Sequence, residues 1–393
     1  MHTSPIRTLT LGIAEAHPLS ATVIADAAHF LQTAQTRFTD AGYEVQTVRL
    51  STRPLLDDVG TWSSLALRTY AHELQSMLDD AAIRFCSLGP AQAAHPGFPL
   101  EHIDLLADLI AETSVLNASV QLADSEHGVR AGATMSTAQV IKRLASETEE
   151  GFGNFRFAML ACAPSGGPFF PAAYHEGPAS LSIGLQGAGI VADALQACVH
   201  ETHLPLNLLQ AGEQVRTALI EYATPIVTHG QQLARESGIR FGGIDVSPAP
   251  MGEDSIVSAM ERCGYGQFGT SGTLAVAAAL TSALKSTGLP TCGYNGLMLP
   301  VLEDALLGQR WAEGLVNAHQ LLLYSAVCGT GLDTVPLAGD VAVESIANLL
   351  LDVATLAVRL QKPLSARLFP APGKQLGEYT TFTSPYLTNT LLK

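Results

Sequence analysis

Six glycine- and proline-rich stretches carry isolated side chains able to do chemistry: Cys162–Gly177, Gly242–Pro250, Phe268–Thr273, Cys292–Asp304, Val327–Asp340 and Arg367–Lys374. Glycine lets a backbone come close to a ligand, and loops at strand ends are where α/β proteins build sites. From Phe157 to Ala192, Glu176 is alone among Asp, Glu, Lys and Arg. Behind His175 it suits a general base with its partner, or a pair of metal ligands. Asp245 follows Gly242-Gly243 at the expected end of a strand, and Asp333 sits in Gly-Thr-Gly-Leu-Asp. Glu176, Asp245 and Asp333 are therefore the candidate ligands for a divalent cation. Cys328 opens the most distinctive run and is the candidate nucleophile, which needs a depressed thiol pKa. For the anion of a substrate the candidates are Arg367 and Lys374, with the turns Ser165-Gly166-Gly167 and around Ser271.

Each candidate has a plainer reading. Glu176 can be a solvated loop carboxylate, Asp245 a turn or helix cap, and the glycines tight turns in a crowded fold. Asp340 is well placed to cap the helix after it. If Val316–Val327 is helical, Cys328 lies at its C-terminal end, where the dipole raises a thiol pKa. Glu303 and Asp304 fall inside an expected helix over Leu299–Ala312, where adjacent positions point about 100° apart.

The elements that must position these groups alternate. Strand patterns occur at Ile6–Ile13, Glu44–Leu50, Ile83–Cys86, Val115–Leu122, Phe155–Cys162, Ser180–Leu185, Arg240–Val246 and Pro363–Pro370. Helical spacing occurs over Ala21–Ala41, Ser64–Ala82, Pro99–Glu112, Ser136–Ser146, Leu208–Ser237 with a kink at Pro225, Ser255–Cys263, Thr273–Ser286, Val316–Val327 and Val341–Gln361. Strand–helix repetition favours parallel neighbours with helices outside. No charge block or low-complexity linker divides the 393 residues. The expected architecture is one closed α/β barrel of about ten strands spanning the chain, with a doubly wound open sheet as the alternative.

Composition narrows the partners. A net charge of −15 without any basic run argues against nucleic acid. Charged residues are 15% of the chain against a usual quarter, which fits a deep interior or a homo-oligomer contact. The almost uncharged stretch Cys263–Leu302 is too rich in Gly, Ser, Thr and Pro to span a bilayer comfortably. The N-terminus lacks a signal-peptide core, and the six cysteines form no Cys-x-x-Cys pair, so the cytoplasm is the expected compartment. Gly184–Gly189 has its glycines in the wrong order for a dinucleotide fingerprint, and no Walker loop is present, so no nucleotide cofactor is expected.

The strings PFFPAAYH, RFGGIDVS, GLMLPVLED, VCGTGLDTVPLAGD and RLFPAPGK resemble the signature of the domain of unknown function 711 family, also called uncharacterised protein family 0210. The likeness runs over nearly the whole chain. It implies a single domain similar to the ten-stranded barrel of the glycyl radical enzymes, with no reaction assigned. It also implies a possible regulatory setting, because some relatives sit beside a small amino-acid-sensing ACT-domain protein. A radical enzyme needs a C-terminal Arg-Val-x-Gly-Tyr-like loop, and Cys292-Gly293-Tyr294 lacks the Arg-Val and lies about a hundred residues from the C-terminus. Acid–base chemistry on a small anionic metabolite is therefore the expected activity, and metabolite sensing without turnover the rival.

Overall fold

A computed structural model describes residues 5–201 and 204–393. Its strands are β1 (Ile6–Gly12), β2 (Val48–Ser51), β3 (Cys86–Ala91), β4 (Leu116–Asp124), β5 (Gly128–Val129), β6 (Phe157–Ala161), β7 (Ser180–Leu185), β8 (Arg240–Asp245), β9 (Gly331–Ala338) and β10 (Leu364–Ala371). They form one mixed sheet in the order β8-β7-β1-β2-β3-β4-β6-β10-β9, with β5 paired to β4. β1, β2, β3, β4 and β6 make a parallel block. β7 and β10 flank it antiparallel, and each carries a parallel outer neighbour, β8 or β9.

Side chains alternate across a strand, and here the two faces have different chemistry. On one face Leu50, Leu116, Ala118, Val120, Phe157, Met159, Leu181, Ile183, Leu364, Ala366 and Leu368 join the main apolar core. The intervening positions are polar yet equally buried: Arg49 and Ser51, Asn117, Ser119 and Gln121, Ser180 and Ser182, and Ser365. Helices cover the apolar face. Ala21–Asp40 is capped by Ser20, whose Oγ accepts from the Val23 N–H, and buries Ile24, Ala27, Leu31, Ala34 and Phe38 at helical spacing. Leu208–Glu236 runs through Pro225 as one helix, and Val343–Leu360 packs on Gly132–Glu147. The polar face looks onto parts of several of the singled-out stretches, those bearing Phe169, Ala249, Tyr294 and Asp333.

No strand pairing joins β8 to β9 among the described residues, so the expected closed ladder is not what the hydrogen bonds draw. Both edges instead meet one irregular segment. At its start Ile244 donates to Pro290 O (2.9 Å) and Cys292 to Ile244 O (3.1 Å); at its end Val301 donates to Asp333 O (3.0 Å). The close fit depends on Gly296 and Gly329, which lie backbone to backbone; a Cβ on either would overlap the other.

Three further expectations change. Val327–Asp340, read as a loop, contains the eight-residue strand β9. The helix expected from Leu299 begins at Ala305, with Asp304 as its N-cap accepting from Leu307 N (3.0 Å). Glu303 and Asp304 thus precede the helix, and both are buried. The cap of Val343–Leu360 is Ala342, so Asp340 has no capping role there.

A buried histidine marks the C-terminal end of the parallel block. His17 places Nδ1 2.7 Å from the Tyr70 hydroxyl and Nε2 2.9 Å from Thr52 Oγ1. Burial, partly offset by Asp58, drives its pKa from 6.5 down to about 4. Between these values the unfolded chain takes up a proton that the folded chain refuses. Stability is therefore lost as pH falls from 6.5 towards 4, by roughly 3 kcal/mol for this one group. Thermal melts of wild type and His17→Gln over that range should show a shallower decline in the variant. Parallel declines would refute the assignment.

Candidate functional site

The polar face of the sheet closes around a cavity at the N-terminal ends of the parallel strands. The cavity measures about 80 Å³, room for several water molecules or a compact metabolite. Three arginines line it, Arg7 from β1, Arg49 from β2 and Arg367 from β10, with Glu303 and Asp333 opposite. Alternation places Arg49 and Arg367 on the face turned away from the helices, whereas Arg7 reaches it through the irregularity between Ile6 and Thr8 in the pairing of β1 with β7.

The arginines differ in what balances them. Arg367 donates through Nε to Asp333 Oδ1 (2.5 Å) and through a terminal nitrogen to Glu303 Oε1 (2.5 Å). Burial alone would lower its pKa, but the two carboxylates outweigh that and hold it above the ordinary arginine value. Arg7 also reaches Glu303, at 3.5 Å. Arg49 forms no ion pair among the described residues. Its Nε donates to Thr47 Oγ1 (3.0 Å), and its guanidinium carbon lies 5.2 Å from the Phe85 ring centre and 5.3 Å from that of Phe170. Burial, then the neighbouring charge of Arg7, pushes its pKa down to about 9, so it still carries its charge at neutral pH. Two cavity hydroxyls, Tyr294 Oη and Thr330 Oγ1, are buried without a hydrogen-bond partner of ordinary geometry. Burial raises the Tyr294 pKa, keeping it a donor. A guanidinium and two buried hydroxyls around one space suit a small anion.

Of the residues singled out from sequence, Asp333 and Arg367 meet in this cavity as an ion pair. Asp245 lies behind its wall, wholly buried, accepting from the backbone N–H groups of Ser247 (2.9 Å), Tyr294 (2.7 Å) and Asn295 (3.1 Å). Burial raises its pKa and these donors oppose the rise. It fixes the segment bearing Tyr294. His175 packs against Gly12 at the opposite end of the parallel block, with Nε2 3.0 Å from Pro178 O and Nδ1 unpartnered. Burial lowers its pKa. Glu176 beside it is exposed. Glu176 and Asp245 do not line the cavity with Asp333, so the three candidate metal ligands are not gathered there.

Cys328 is buried beyond Ala318–Ser325, and burial, opposed by Lys362, pushes its thiol up to about 11. That is the wrong direction for a nucleophile. Ser165, Gly166 and Gly167 belong to a turn closed by Gly166 N to Tyr174 O (2.7 Å), and Ser271 is exposed ahead of the helix Thr273–Lys285. Lys374 lies past β10 in a turn whose carbonyl accepts from Gly339 N (2.8 Å). None of these five lines the cavity.

Motif reading passed over Arg49, set Glu303 inside an expected helix, and weighed Tyr294 only against a radical loop. The signal for Arg49 was present: in Val-Arg-Leu-Ser it holds a polar register of a strand whose other register is apolar.

Fold and cavity together define a mixed α/β protein with a buried, arginine-lined pocket on the face of its sheet turned away from the helices. The chain belongs to the family described as Uncharacterised ACR (DUF711), whose model matches residues 1–384. It is 31% identical over 361 residues to a UPF0210 protein of Pyrobaculum aerophilum, covering 86% of this chain and 76% of that one. A UPF0210 protein of Oenococcus oeni is 27% identical over 399 residues, covering 96% and 88%. Among solved structures the chain overlaps the anaerobic ribonucleotide reductase of Thermotoga maritima with a TM-score of 0.43 and 9% identity, over 92% of this chain and 75% of that chain. That overlap is too loose to assign a common fold. No helix among the described residues is long and apolar enough to cross a membrane.

Proposed function

We propose that this chain is an enzyme performing acid–base chemistry on a small anionic metabolite held beside Arg49. The observation that carries the reading is the buried Arg49 guanidinium, flanked by two aromatic rings and without an ion-pair partner among the described residues, in a cavity that also holds the Tyr294 and Thr330 hydroxyls. A buried cation is costly unless paired, so an anionic ligand is the natural complement. Tyr294, Asp333 and Glu303 are the groups able to move a proton at such a ligand. His175, Glu176 and Asp245 support the surroundings in this reading. The sheet and the segment joining its edges act as a barrel of the glycyl radical enzyme kind, used without radical chemistry, since the sequence lacks the glycyl loop. The low charge content favours a homo-oligomer.

One observation favours a second reading, metabolite sensing without turnover, with or without an ACT-domain partner. Both cavity carboxylates are already engaged by Arg367, which suits holding a ligand as well as transforming it. Native mass spectrometry of the purified protein, followed by incubation with whatever it retains, separates the two. An anion converted to a new product supports the enzyme, and one recovered unchanged supports the sensor. If no phosphate, carboxylate or sulfonate raises the melting temperature, both fail.

A further inference from the structure

At the other end of the parallel block, β4 ends in Asp124 and turns through a tight hairpin into β5. Asp124 Oδ1 accepts from the backbone N–H groups of Glu126 (2.8 Å) and His127 (2.6 Å), which fixes the carboxylate plane. Oδ2 is left facing two imidazoles: His127 Nδ1 at 3.0 Å and His95 Nε2 at 4.0 Å. One ligand atom from each residue lies within 4.8 Å of the others. His95 comes from the loop after β3, and that loop is pinned. A terminal nitrogen of Arg130 donates to the carbonyls of Ala93 (3.1 Å), His95 (2.7 Å) and Phe98 (2.8 Å).

We propose that His95, Asp124 and His127 form a binding site for a divalent first-row transition-metal ion of the zinc type. Bonds of about 2.0–2.2 Å to nitrogen and oxygen put tetrahedral ligands roughly 3.3 Å apart; His127 and Asp124 are already near that at 3.0 Å, and His95 is within a side-chain rotation of it at 4.0 Å from Asp124. Two imidazoles and one carboxylate leave a fourth position open to water or substrate, the arrangement of a catalytic rather than a closed structural site. Hard cations such as Mg²⁺ and Ca²⁺ prefer all-oxygen shells and are disfavoured by the two imidazoles. Metal entry replaces the contact between His127 Nδ1 and Asp124 and draws His95 inward by a side-chain rotation, which its exposed position permits. Asp57 adds negative charge beside His95. The held carboxylate and the pinned loop supply the outer support that metal ligands need.

The site is separate from the arginine cavity and stands whether or not that cavity is catalytic. The test is titration of chelator-treated, full-length protein with Zn²⁺ by calorimetry, with Co²⁺ as a spectroscopic probe and Mg²⁺ as a control. One equivalent of Zn²⁺ should bind at micromolar or tighter affinity and raise the melting temperature. The Co²⁺ spectrum should lack sulfur-to-metal charge transfer. His95→Gln, on the solvent side, should keep the apo melting temperature and weaken Zn²⁺ at least tenfold, and His127→Gln likewise. No binding, binding untouched by both variants, or a thiolate-type Co²⁺ spectrum would each overturn the proposal.

Discussion

Arg49→Met should weaken binding of the cavity anion by roughly thirty- to several-thousandfold while leaving the protein as stable as wild type or more so. The affinity loss follows from truncating one partner of a buried charge pair, which costs about 2–5 kcal/mol. The stability result is the more telling half. In the unliganded protein Arg49 is a buried cation without an ion-pair partner among the described residues, kept in place by Thr47 and two aromatic rings. Methionine fills much the same volume without the desolvation cost, and a residue kept for binding often costs stability. Calorimetry with the retained anion, or with inorganic phosphate and short dicarboxylates as probes, reads the first effect. Chemical denaturation of the unliganded protein reads the second. A variant that unfolds easily, or one that binds as well as wild type, would show Arg49 to be structural.

Arg367→Met should do the reverse, lowering unfolding stability by about 3–5 kcal/mol. Removing this guanidinium leaves Glu303 and Asp333 buried without their principal counter-charge, and breaking a buried pair is strongly destabilising. Arg7 remains 3.5 Å from Glu303, but no other cation contacts Asp333 among the described residues. Adding Glu303→Gln and Asp333→Asn to the variant should recover much of the loss, because neutral amides need no counter-charge. Urea denaturation of wild type, the single variant and the combined variant gives the comparison. A single variant within 1 kcal/mol of wild type would mean that the carboxylates tolerate burial without Arg367. Two arginines on one cavity wall are thus assigned opposite duties by what surrounds them.

The sequence disclosed the helices and most strands because their apolar positions repeat. Ser180–Leu185 is a strand at the bounds its alternation indicates, and Ala21–Asp40 follows from its apolar spacing up to Gly42. β9 escaped because Gly331, Pro336 and Gly339 are turn signals. It is an edge of the sheet, where a proline's missing N–H is tolerated. The helix start was misread for a related reason: Leu297–Leu302 has helical spacing, but it is held irregularly against β9, and the N-terminal signal is Asp304. Within the cavity, Asp333 and Arg367 were visible as ionisable groups in distinctive motifs. Arg49 was not, because a lone arginine in a short strand carries no motif. Cys328 illustrates the converse: a distinctive run around it says nothing about whether its thiol meets solvent.

The two-sided strands carry a consequence for how such a protein can change. Every second residue is spoken for by the helices, and altering one of those disturbs packing that the whole sheet depends on. The residues between them face the interior loops instead, and two of them, Asn117 and Ser365, line the pocket directly. Specificity can therefore drift in one register while the scaffold is conserved in the other. For an engineer these are separate dials: a library restricted to the inward register should retain folded members at a far higher rate than one drawn from the outward register.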